Sequence, residues 1–440
     1  MNKKFTFIVV ISSISIIVII SVVSLLLTTN PTPQVNYQPP PTTIANEQAP
    51  QTANVKNTSE ITNNISNKEQ AEKYISEIKQ LINQTHYKKA AEELKLAIKI
   101  QSENEELLKL QDLLDSLQND MVIYKGPIYH VFFHSLIVYP ELCFTGDSME
   151  QGYNNWMTTV KEFKLMIQDM YDRGYTLVDL GALFSAGASG KMEVKKLYLP
   201  KGQKPLVISV DDMSYYKYMQ KDGFAKRLII DANEKLASII DTPEGKEIIS
   251  IDGDVVPILN NFVEQNPDFS TKGAKGTLAL TGYEGILGYR TNRDNPSWED
   301  EREKVIPVVN KLKETGWTFA SHSYTHRRTF SEGTIKLDFL MYDTQRWKRE
   351  VGSIVGPTSI YISPFGATFK QSDKRMKYII NQGFDIYCGV GPKPSIITYK
   401  DNVYMERIDL DGYKMYHMPQ LMKDLFDVSK VFDSSRPKFK

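Results

Sequence analysis

Short apolar runs alternate with longer amphipathic stretches through the C-terminal two-thirds of the chain. The apolar runs are rich in β-branched and aromatic side chains, which is typical of buried strands. They cover residues 206–208, 277–280, 317–320, 360–362 and 384–387. Helical periodicity predicts helices over residues 158–173, 301–313, 339–354 and 373–380. Strands that alternate with helices indicate a parallel sheet, so we predict an α/β fold.

The first 29 residues have the pattern of a membrane segment. Lys3 and Lys4 precede an uncharged run over residues 5–27, which is long enough to cross the hydrocarbon core as a helix. Positive charge on one side alone predicts a cytoplasmic tip, a single-pass anchor in the cell membrane and an extracellular remainder. A cleaved signal peptide is the competing interpretation, but the run ends without a small-x-small cleavage pattern.

Two regions of different composition follow the membrane segment. Residues 30–67 are dense in Pro, Thr, Asn and Gln, which predicts an extended linker. Residues 68–120 have helical periodicity, with a tetratricopeptide-like row that includes Tyr87, Ala90 and Leu94. A helical hairpin, a repeat or a coiled coil fits this region, and its role could be partner binding, self-association or spacing. The α/β region then occupies residues 121–440.

Charge and cysteine content narrow the class of protein. Lys and Arg number 53, and Asp and Glu also number 53, so the formal net charge is +0 and no nucleic-acid partner is indicated. The two cysteines, Cys143 and Cys388, have neither metal-binding spacing nor a disulfide framework. A single bridge between them stays open at this point.

Residues with metal-binding chemistry follow two of the predicted strands. Asp211 and Asp212 come just after one apolar run, and His322 and His326 follow another. One carboxylate and two imidazoles suit a divalent ion, most naturally zinc with a position open to water, and the second aspartate is then free to accept a proton. Singly, an aspartate pair is often a cap or turn, and such histidines are often surface residues. Their coincidence at strand ends favours a metal site.

These two motifs resemble those of a known enzyme family. Residues 209–212 (Ser-Val-Asp-Asp) are similar to the Thr-Phe-Asp-Asp motif of the polysaccharide deacetylases, the NodB-homology family, although Met213 replaces the usual glycine. Residues 321–326 (Ser-His-Ser-Tyr-Thr-His) match the His-Ser/Thr-x-x-His motif. The resemblance runs from about residue 127 to 417. It implies the family's irregular (β/α) barrel, here preceded by the small helical region and the N-terminal transmembrane helix.

The resemblance also implies roles for these residues. Asp212, His322 and His326 would hold one divalent metal ion, most naturally zinc, and Asp211 would be the general base. The resemblance then implies a metal-dependent hydrolase that removes N-acetyl groups from amino sugars of a cell-surface polysaccharide, either peptidoglycan or poly-N-acetylglucosamine. Water would attack the acetyl carbonyl, and a histidine would protonate the leaving amine.

The third motif of the family is altered in this chain. Residues 363–365 (Ser-Pro-Phe) resemble it, and the backbone amide after Pro364, at Phe365, is implied to help hold the oxyanion. Ile362 stands in the position of the arginine that orients the catalytic aspartate. We predict that Arg407, which follows another predicted strand, replaces it by reaching Asp211 across the strand ends. A structural ion pair is the alternative for Arg407.

Two more histidines enter through the resemblance. Residues 414–417 (Lys-Met-Tyr-His) loosely resemble the last motif, a strand that ends in the general acid, so His417 is assigned that role. Residues 132–137 (Phe-Phe-His-Ser-Leu-Ile) look like a segment that starts many extracellular members, which would put His134 at the mouth of the site. A surface or core histidine is the alternative for each.

The departures from the family motifs motivate two other functions. One is a glycan-binding barrel on a membrane tether that does not turn its ligand over, because the arginine of the third motif and the tryptophan of the fourth are absent. The other is a partner-binding module over residues 68–120, with the barrel as its scaffold. A long spacing of 109 residues between Asp212 and His322 further predicts a hairpin insertion over residues 228–251.

Overall fold

Seven parallel strands close into a barrel within residues 55–439, the part of the chain that the computed structural model describes. In chain order they are Tyr129–Phe133 (β1), Lys204–Asp211 (β2), Thr277–Leu280 (β3), Thr318–Ser321 (β4), Ile360–Ile362 (β5), Ile386–Val390 (β6) and Val403–Asp409 (β7). Each strand pairs with the next, and β7 pairs with β1, so spatial order follows chain order. The predicted (β/α) barrel is therefore present.

In the described chain, three helices precede the barrel: α1 (Val55–Asn83), α2 (Tyr87–Ile100) and α3 (Glu105–Asn119). They share a hydrophobic core of their own, in which Ile78 and Leu94 are fully buried. These helices account for the helical periodicity of residues 68–120. Helix α1 nevertheless begins within the stretch that the composition predicts as linker, and residues 30–54 of that linker lie outside the described residues.

Backbone pairing joins the helical region to the barrel. Strand Met121–Ile123, directly after α3, pairs antiparallel with Tyr198–Pro200. A cavity of about 950 Å³ lies between the helices and the barrel and is lined by polar and charged side chains from both. Its lining includes Lys275, just before β3, so the cavity lies at the N-terminal end of the barrel strands.

The remaining helices of the described chain pack around the barrel or cap its ends. They are α4 (Pro140–Cys143), α5 (Glu150–Trp156), α6 (Val160–Asp172), α7 (Val255–Gln265), α8 (Trp298–Glu314), α9 (Leu337–Trp347), α10 (Ser353–Val355), α11 (Lys374–Asn381), α12 (Gly412–His417) and α13 (Val428–Val431). A π-helical turn, Lys348–Gly352, connects α9 to α10. The helices predicted from periodicity correspond to α6, α8, α9 and α11.

Alternate residues of each barrel strand face two different cores. In β2, Leu206 and Ile208 belong to the core shared with the surrounding helices, whereas Val207 belongs to a second core with small residues of β3 and β4. Because side chains alternate along a strand, Ser209 and Asp211 point the same way as Val207, into the barrel. This alternation places the carboxylate of Asp211 inside the barrel at the C-terminal end of β2.

The insertion between β2 and β3 is an antiparallel sheet followed by α7. Its strands are Ala225–Ile230, Leu236–Asp241 and Glu247–Ser250. The first two form the predicted hairpin, with Ile230 opposite Leu236, and the third strand adds to it. Buried residues of this sheet, such as Leu228, belong to the core shared with the helices. The insertion therefore packs on the outside of the barrel.

The prediction of a single-pass membrane protein is corrected. Within residues 55–439, no helix is both long and apolar enough to cross a membrane. Helix α1 has the length, at 29 residues, but it carries Lys and Glu along its sequence, and charged side chains are costly in hydrocarbon. The predicted anchor itself, residues 1–29, lies outside the described residues.

The two cysteines are separate buried thiols. Cys143 ends α4 and Cys388 lies in β6, and neither forms a disulfide. Burial raises the pKa of Cys388 to about 12, so this thiol stays protonated near neutral pH. The bridge that the sequence left open is not formed.

Candidate metal centre and active site

Polar side chains gather at the C-terminal ends of the barrel strands. Asp211 ends β2 and Asp212 follows it, His322 follows β4, and His134 follows β1. Arg407 lies near the end of β7. Since parallel strands of a barrel all end on one face, these residues from four strands meet there, as catalytic residues do in (β/α) barrels.

Asp212, His322 and His326 form a cluster with the donor atoms of a metal site. One donor atom from each lies within 4.8 Å of the others. His326 Nε2 is 4.0 Å from Asp212 Oδ2, and His322 Nε2 is 3.8 Å from Asp211 Oδ2. The structure thus brings the three predicted ligands together. A carboxylate with two imidazoles fits a zinc-type ion that keeps an open position.

The ring of His322 is held in the tautomer that a metal ligand needs. Its Nδ1 lies 2.7 Å from the carbonyl oxygen of Ile362, which can only accept, so Nδ1 donates and Nε2 keeps its lone pair. Burial lowers the pKa of His322 to about 4, despite the charge of Asp211, so the ring is neutral at pH 7. Ile362, which stands where the motif resembled by residues 363–365 has an arginine, thus contacts the cluster through its backbone.

The carboxylate of Asp212 is fixed by a set of hydroxyl groups. Tyr216 donates to Asp212 Oδ1 at 2.7 Å, which leaves Oδ2 facing His326. The hydroxyl of Thr281, at the end of β3, lies 2.9 Å from those of both Tyr216 and Ser214. Burial acts to raise the pKa of Asp212, but the nearby histidines and this hydrogen bond hold it below its usual value. Asp212 is therefore ionised and has the charge state that a metal ligand needs.

Asp211 is paired with a buried arginine. Arg407 Nη1 donates to Asp211 Oδ1 at 2.7 Å and to Ser209 Oγ at 3.2 Å, and the guanidinium lies 4.0 Å from the ring centroid of Phe132. Burial would raise the pKa of Asp211, but the charges of Arg407 and His322 hold it well below its usual range. The contact predicted from the sequence is present, and it leaves Oδ2 of Asp211 free of the arginine.

Several residues of this site have left-handed backbone conformations. The φ angles are +58° for Asp212, +57° for Ser323, +45° for His326 and +57° for Phe365. Such angles in residues other than glycine cost of order 1–3 kcal/mol each and persist only where the surroundings enforce them. These residues lie in or beside the two loops that carry the predicted ligands. Contacts from the surrounding structure must therefore hold these loops in their conformation.

Pro364 and Phe365 lie on a short turn directly after β5. Pro364 is buried, whereas the side chain of Phe365 is 52% exposed. The ring centroid of Phe365 is 4.3 Å from that of His326, so an exposed aromatic face borders the cluster. This placement puts the third-motif residues next to the candidate ligands.

The structure corrects the predicted surroundings of His417. Residues 412–417 form helix α12 and not a strand, because Asp411 caps the helix by accepting a hydrogen bond from the Lys414 amide at 2.6 Å. His417 lies exposed at the end of this helix, with its ring 4.4 Å from that of Tyr413 and 5.8 Å from that of Phe439. No hydrogen bond or ion pair within residues 55–439 joins His417 to the candidate site.

His134 lies closer to the chemistry. Its proximity acts to lower the pKa of Asp211, Asp212 and Asp411, so its ring lies within electrostatic reach of all three carboxyl groups. The pKa of Asp411 is nevertheless raised, because burial outweighs this effect. Burial and the neighbouring Asp411 raise the pKa of Asp409, at the end of β7, well above its usual value.

Sequence reasoning overlooked the residues that support the cluster. Tyr216 and Asp409 were not singled out, although Asp409 stands at the end of β7. Applying the strand-end rule to that strand would have identified Asp409. Tyr216 lies in a turn four residues after Asp212, and no signal in a single sequence marks it.

The fold and the cluster together define a (β/α) barrel with a candidate metal centre at the C-terminal ends of its strands. No family model matches the chain. No curated protein matches it either. Among solved structures, the chain is similar to the deacetylase domain of BpsB from Bordetella bronchiseptica, with 13% identity, 48% of this chain and 73% of that chain covered, and a TM-score of 0.27. At this identity and TM-score the match says nothing about the function of this chain.

Proposed function

We propose that this protein is a metal-dependent hydrolase that removes N-acetyl groups from amino sugars of a polysaccharide, such as peptidoglycan or poly-N-acetylglucosamine. The observation that carries the proposal is an ionised, arginine-bound aspartate, Asp211, beside a cluster of one carboxylate and two imidazoles. A general base next to an open metal site is an arrangement that supports metal-dependent hydrolysis of an amide.

The residues present fit the metal. Asp212, His322 and His326 would hold one divalent ion, most naturally zinc, because His322 is neutral with Nε2 free and Asp212 is ionised. When bound, the ion supplies Lewis acidity for the acetyl carbonyl and for the attacking water. The second layer, from Tyr216 and the carbonyl of Ile362, orients two of the three ligands.

Asp211 accepts the proton of the attacking water. Its Oδ1 is engaged by Arg407, so Oδ2 is the oxygen that takes the proton. The lowered pKa of Asp211 keeps the carboxylate ionised at neutral pH. The water oxygen bonds to the acetyl carbon, the C–N bond breaks, and the products are acetate and a free amine.

His134 donates the proton that the leaving amine needs. It follows β1 at the mouth of the barrel and lies within electrostatic reach of both aspartates. His417, to which the motif resemblance gives this role, is exposed on α12 and has no contact with the cluster among the described residues. We therefore assign the acid to His134.

Phe365 and Pro364 form the wall against which the acetyl group lies. The half-exposed ring of Phe365 covers one side of His326 and offers an apolar face to a methyl group. The backbone amide of Phe365, after Pro364, is the proposed donor to the oxyanion.

Acetate release tests this function. Purified protein loaded with zinc is incubated with N-acetylglucosamine oligomers, poly-N-acetylglucosamine and peptidoglycan, and acetate is measured. We expect release from at least one polymer, complete loss in His326→Ala, and normal release in the matched control His417→Ala. The absence of acetate from all these substrates, with zinc bound at one ion per chain, would refute the proposal.

A barrel that only binds glycan is the competing function. It was motivated by the missing arginine of the third motif, and Arg407 now stands in contact with Asp211. That contact favours a catalyst over a binder, because it holds one carboxylate ionised and aimed, as a general base must be. Glycan binding without any acetate release would restore the competing function.

A further inference from the structure

One face of helix α9 and the π-helical turn after it contacts the loop that carries the two histidines. Asp343 and Arg346 lie in α9, and Glu350 lies in the π-helical turn. All three contact Tyr324 or Thr325, the two residues between Ser323 and His326. None of the three takes part in the proposed chemistry, and the carboxylates of Asp343 and Glu350 are buried.

The contacts of Asp343 are to the backbone of this loop. Asp343 Oδ2 accepts a hydrogen bond from the amide of Tyr324 at 2.7 Å. Its Oδ1 accepts from the amide of Thr325 at 2.9 Å and from the Thr325 hydroxyl at 2.6 Å. A completely buried carboxylate that receives three donors from two consecutive residues fixes the orientation of both peptide groups.

Glu350 and Arg346 hold the side chain of Tyr324 from the same helix face. The Tyr324 hydroxyl donates to Glu350 Oε2 at 2.6 Å, and the Arg346 guanidinium lies 4.2 Å from the ring centroid. Arg346 Nε also donates to Glu350 Oε1 at 3.0 Å. The π-helical turn that carries Glu350 is a rare conformation that recurs at functional sites.

The loop needs such support because its backbone is strained. Ser323 and His326 both have positive φ angles, and the His326 amide donates to Ser323 Oγ at 3.0 Å to close the turn. Positive φ is unfavourable for both side chains, so the loop keeps this shape only while other contacts enforce it. The donors of Tyr324 and Thr325 lie between the two strained positions, where an external acceptor has the greatest effect on the direction of His326.

We propose that Asp343 is a positioning residue that sets the metal affinity of the site by holding residues 323–326 in the ligating conformation. The inference rests on the proposed function, because it takes Asp212, His322 and His326 as the ligands. It goes beyond that function in assigning part of the binding free energy to a helix that contributes no ligand. Residues that orient metal ligands typically change metal affinity by 10–100-fold when they are replaced.

Zinc titration of the metal-free full chain, in competition with a chromophoric chelator, tests the inference. In Asp343→Asn the amide group repels one of the two backbone donors, and we expect the zinc Kd to rise 10–100-fold. Asp338→Asn, an exposed carboxylate on the same helix, is the matched control and should stay within about threefold of the wild type. The cobalt(II) absorption spectrum of each variant reports the geometry of the ligands and should change in Asp343→Asn alone.

A second pair of variants covers the case in which Asp343→Asn does not fold. Thr325→Val removes the hydroxyl donor and keeps both amides, whereas Thr325→Ser retains the hydroxyl. We expect weaker zinc binding in Thr325→Val and recovery in Thr325→Ser. A folded Asp343→Asn with zinc affinity within threefold of the wild type, or equal affinities in the two Thr325 variants, would overturn the inference alone. Failure of the wild-type chain to bind zinc would overturn both the inference and the proposed function.

Discussion

At the scale of single residues, the pair of Asp211 and Arg407 shows how two separated strands of a barrel can supply one ion pair. The motif that residues 363–365 resemble has an arginine where this chain has Ile362, on β5. In this chain the cation beside Asp211 comes from β7, which lies two strands from β2 around the ring. Inward positions of a closed barrel converge, so a side chain as long as arginine can reach a carboxylate on a strand that is not its neighbour.

Replacing Arg407 by Met should uncouple turnover from metal binding. Methionine fills much of the volume but cannot pair with Asp211, so the base loses its orientation and its nearby positive charge. We expect turnover to fall by about 10²-fold or more while zinc stoichiometry stays at one. The turnover of Arg407→Lys, which keeps the charge but loses the planar guanidinium, should lie between those of the wild type and Arg407→Met. Near-normal turnover in folded Arg407→Met would show that another group orients Asp211.

Replacing His134 and His417 one at a time should show which of them is the general acid. His134→Gln removes the proton donor at the mouth of the barrel, and we expect kcat to fall by about 10²–10⁴-fold. His417→Gln changes an exposed ring on α12 and should leave kcat within about twofold. A substrate with a better leaving group should recover part of the His134→Gln defect, because it needs less protonation. If the effects of the two variants are reversed, His417 is the acid and α12 moves during catalysis.

The histidines predicted for the site show where prediction of single residues from the sequence succeeds and where it fails. Asp212, His322 and His326 could be grouped because both motifs follow recognisable strands, and strand ends converge on one face. His417 could not be placed, because four residues of loose similarity do not distinguish a strand from a helix. Asp411 makes these residues a helix, because its side chain caps α12 by accepting a hydrogen bond from the Lys414 amide. An aspartate at this position in the sequence does not by itself distinguish a helix cap from a turn.

At the scale of elements, caps and apolar runs in the sequence explain most boundaries of the helices and strands. They do not reveal the third strand of the insertion between β2 and β3. Thr159 and Glu162 form a capping box that starts α6 within two residues of the predicted boundary. The hairpin around Ile230 and Leu236 followed from two β-branched runs and a polar turn. Its third strand, Glu247–Ser250, is mostly exposed and carries no strong apolar pattern, so periodicity did not reveal it.

Helix α7 should make the stability of the insertion depend on pH. Its N-cap, Asp254, is completely buried, and Oδ1 accepts from the amides of Leu136 and Val255 at 3.0 and 2.8 Å. Burial raises the pKa of Asp254 to about 6, above its usual 3.8. The folded state therefore favours the protonated form of Asp254. The contribution of this group to the stability of the fold is complete below about pH 4 and is lost as the pH rises through 6.

Asp254→Asn removes this dependence, because the amide oxygen can accept both hydrogen bonds and carries no charge. We expect the variant to exceed the wild type in unfolding free energy by up to about 3 kcal/mol at pH 7.5, and by little at pH 4. Urea unfolding at both pH values measures the two differences. Equal differences at pH 4 and pH 7.5 would mean that Asp254 titrates normally in the folded protein.

At the scale of the whole molecule, alternation in the sequence predicted a parallel α/β sheet and the motif resemblance implied a (β/α) barrel, but neither predicted how many strands close it. Strand number depends on tilt and on the side chains that fill the interior. Here Ala279 and Ala320 keep the inner core small next to Val207. Likewise, the helical region was visible as amphipathic rows, but its separate core and its pairing through Met121–Ile123 depend on contacts between distant segments. A protein partner or self-association through residues 68–120 stays a prediction.

Removal of the metal should destabilise the entire barrel. The proposed ligands stand on the loops after β2 and β4, which are separated by β3, so one ion would connect segments that share no direct strand pairing. An ion that binds only the folded state adds RT ln(1 + [L]/Kd), or about 4 kcal/mol when free zinc is about 1,000 times Kd. We therefore expect a chelator to lower the unfolding free energy of the wild type by that amount, measured by urea unfolding with and without zinc.

His326→Ala supplies the control that separates this linkage from a general effect of zinc. Two ligands rarely hold zinc at an open site, so the variant should unfold at the same urea concentration with and without the metal. In the absence of zinc, its stability should differ little from that of the metal-free wild type, because alanine keeps the Cβ atom that makes a positive φ at this position unfavourable. A zinc-dependent stabilisation that persists in His326→Ala would place the ion elsewhere and separate the cluster of Asp212, His322 and His326 from metal binding.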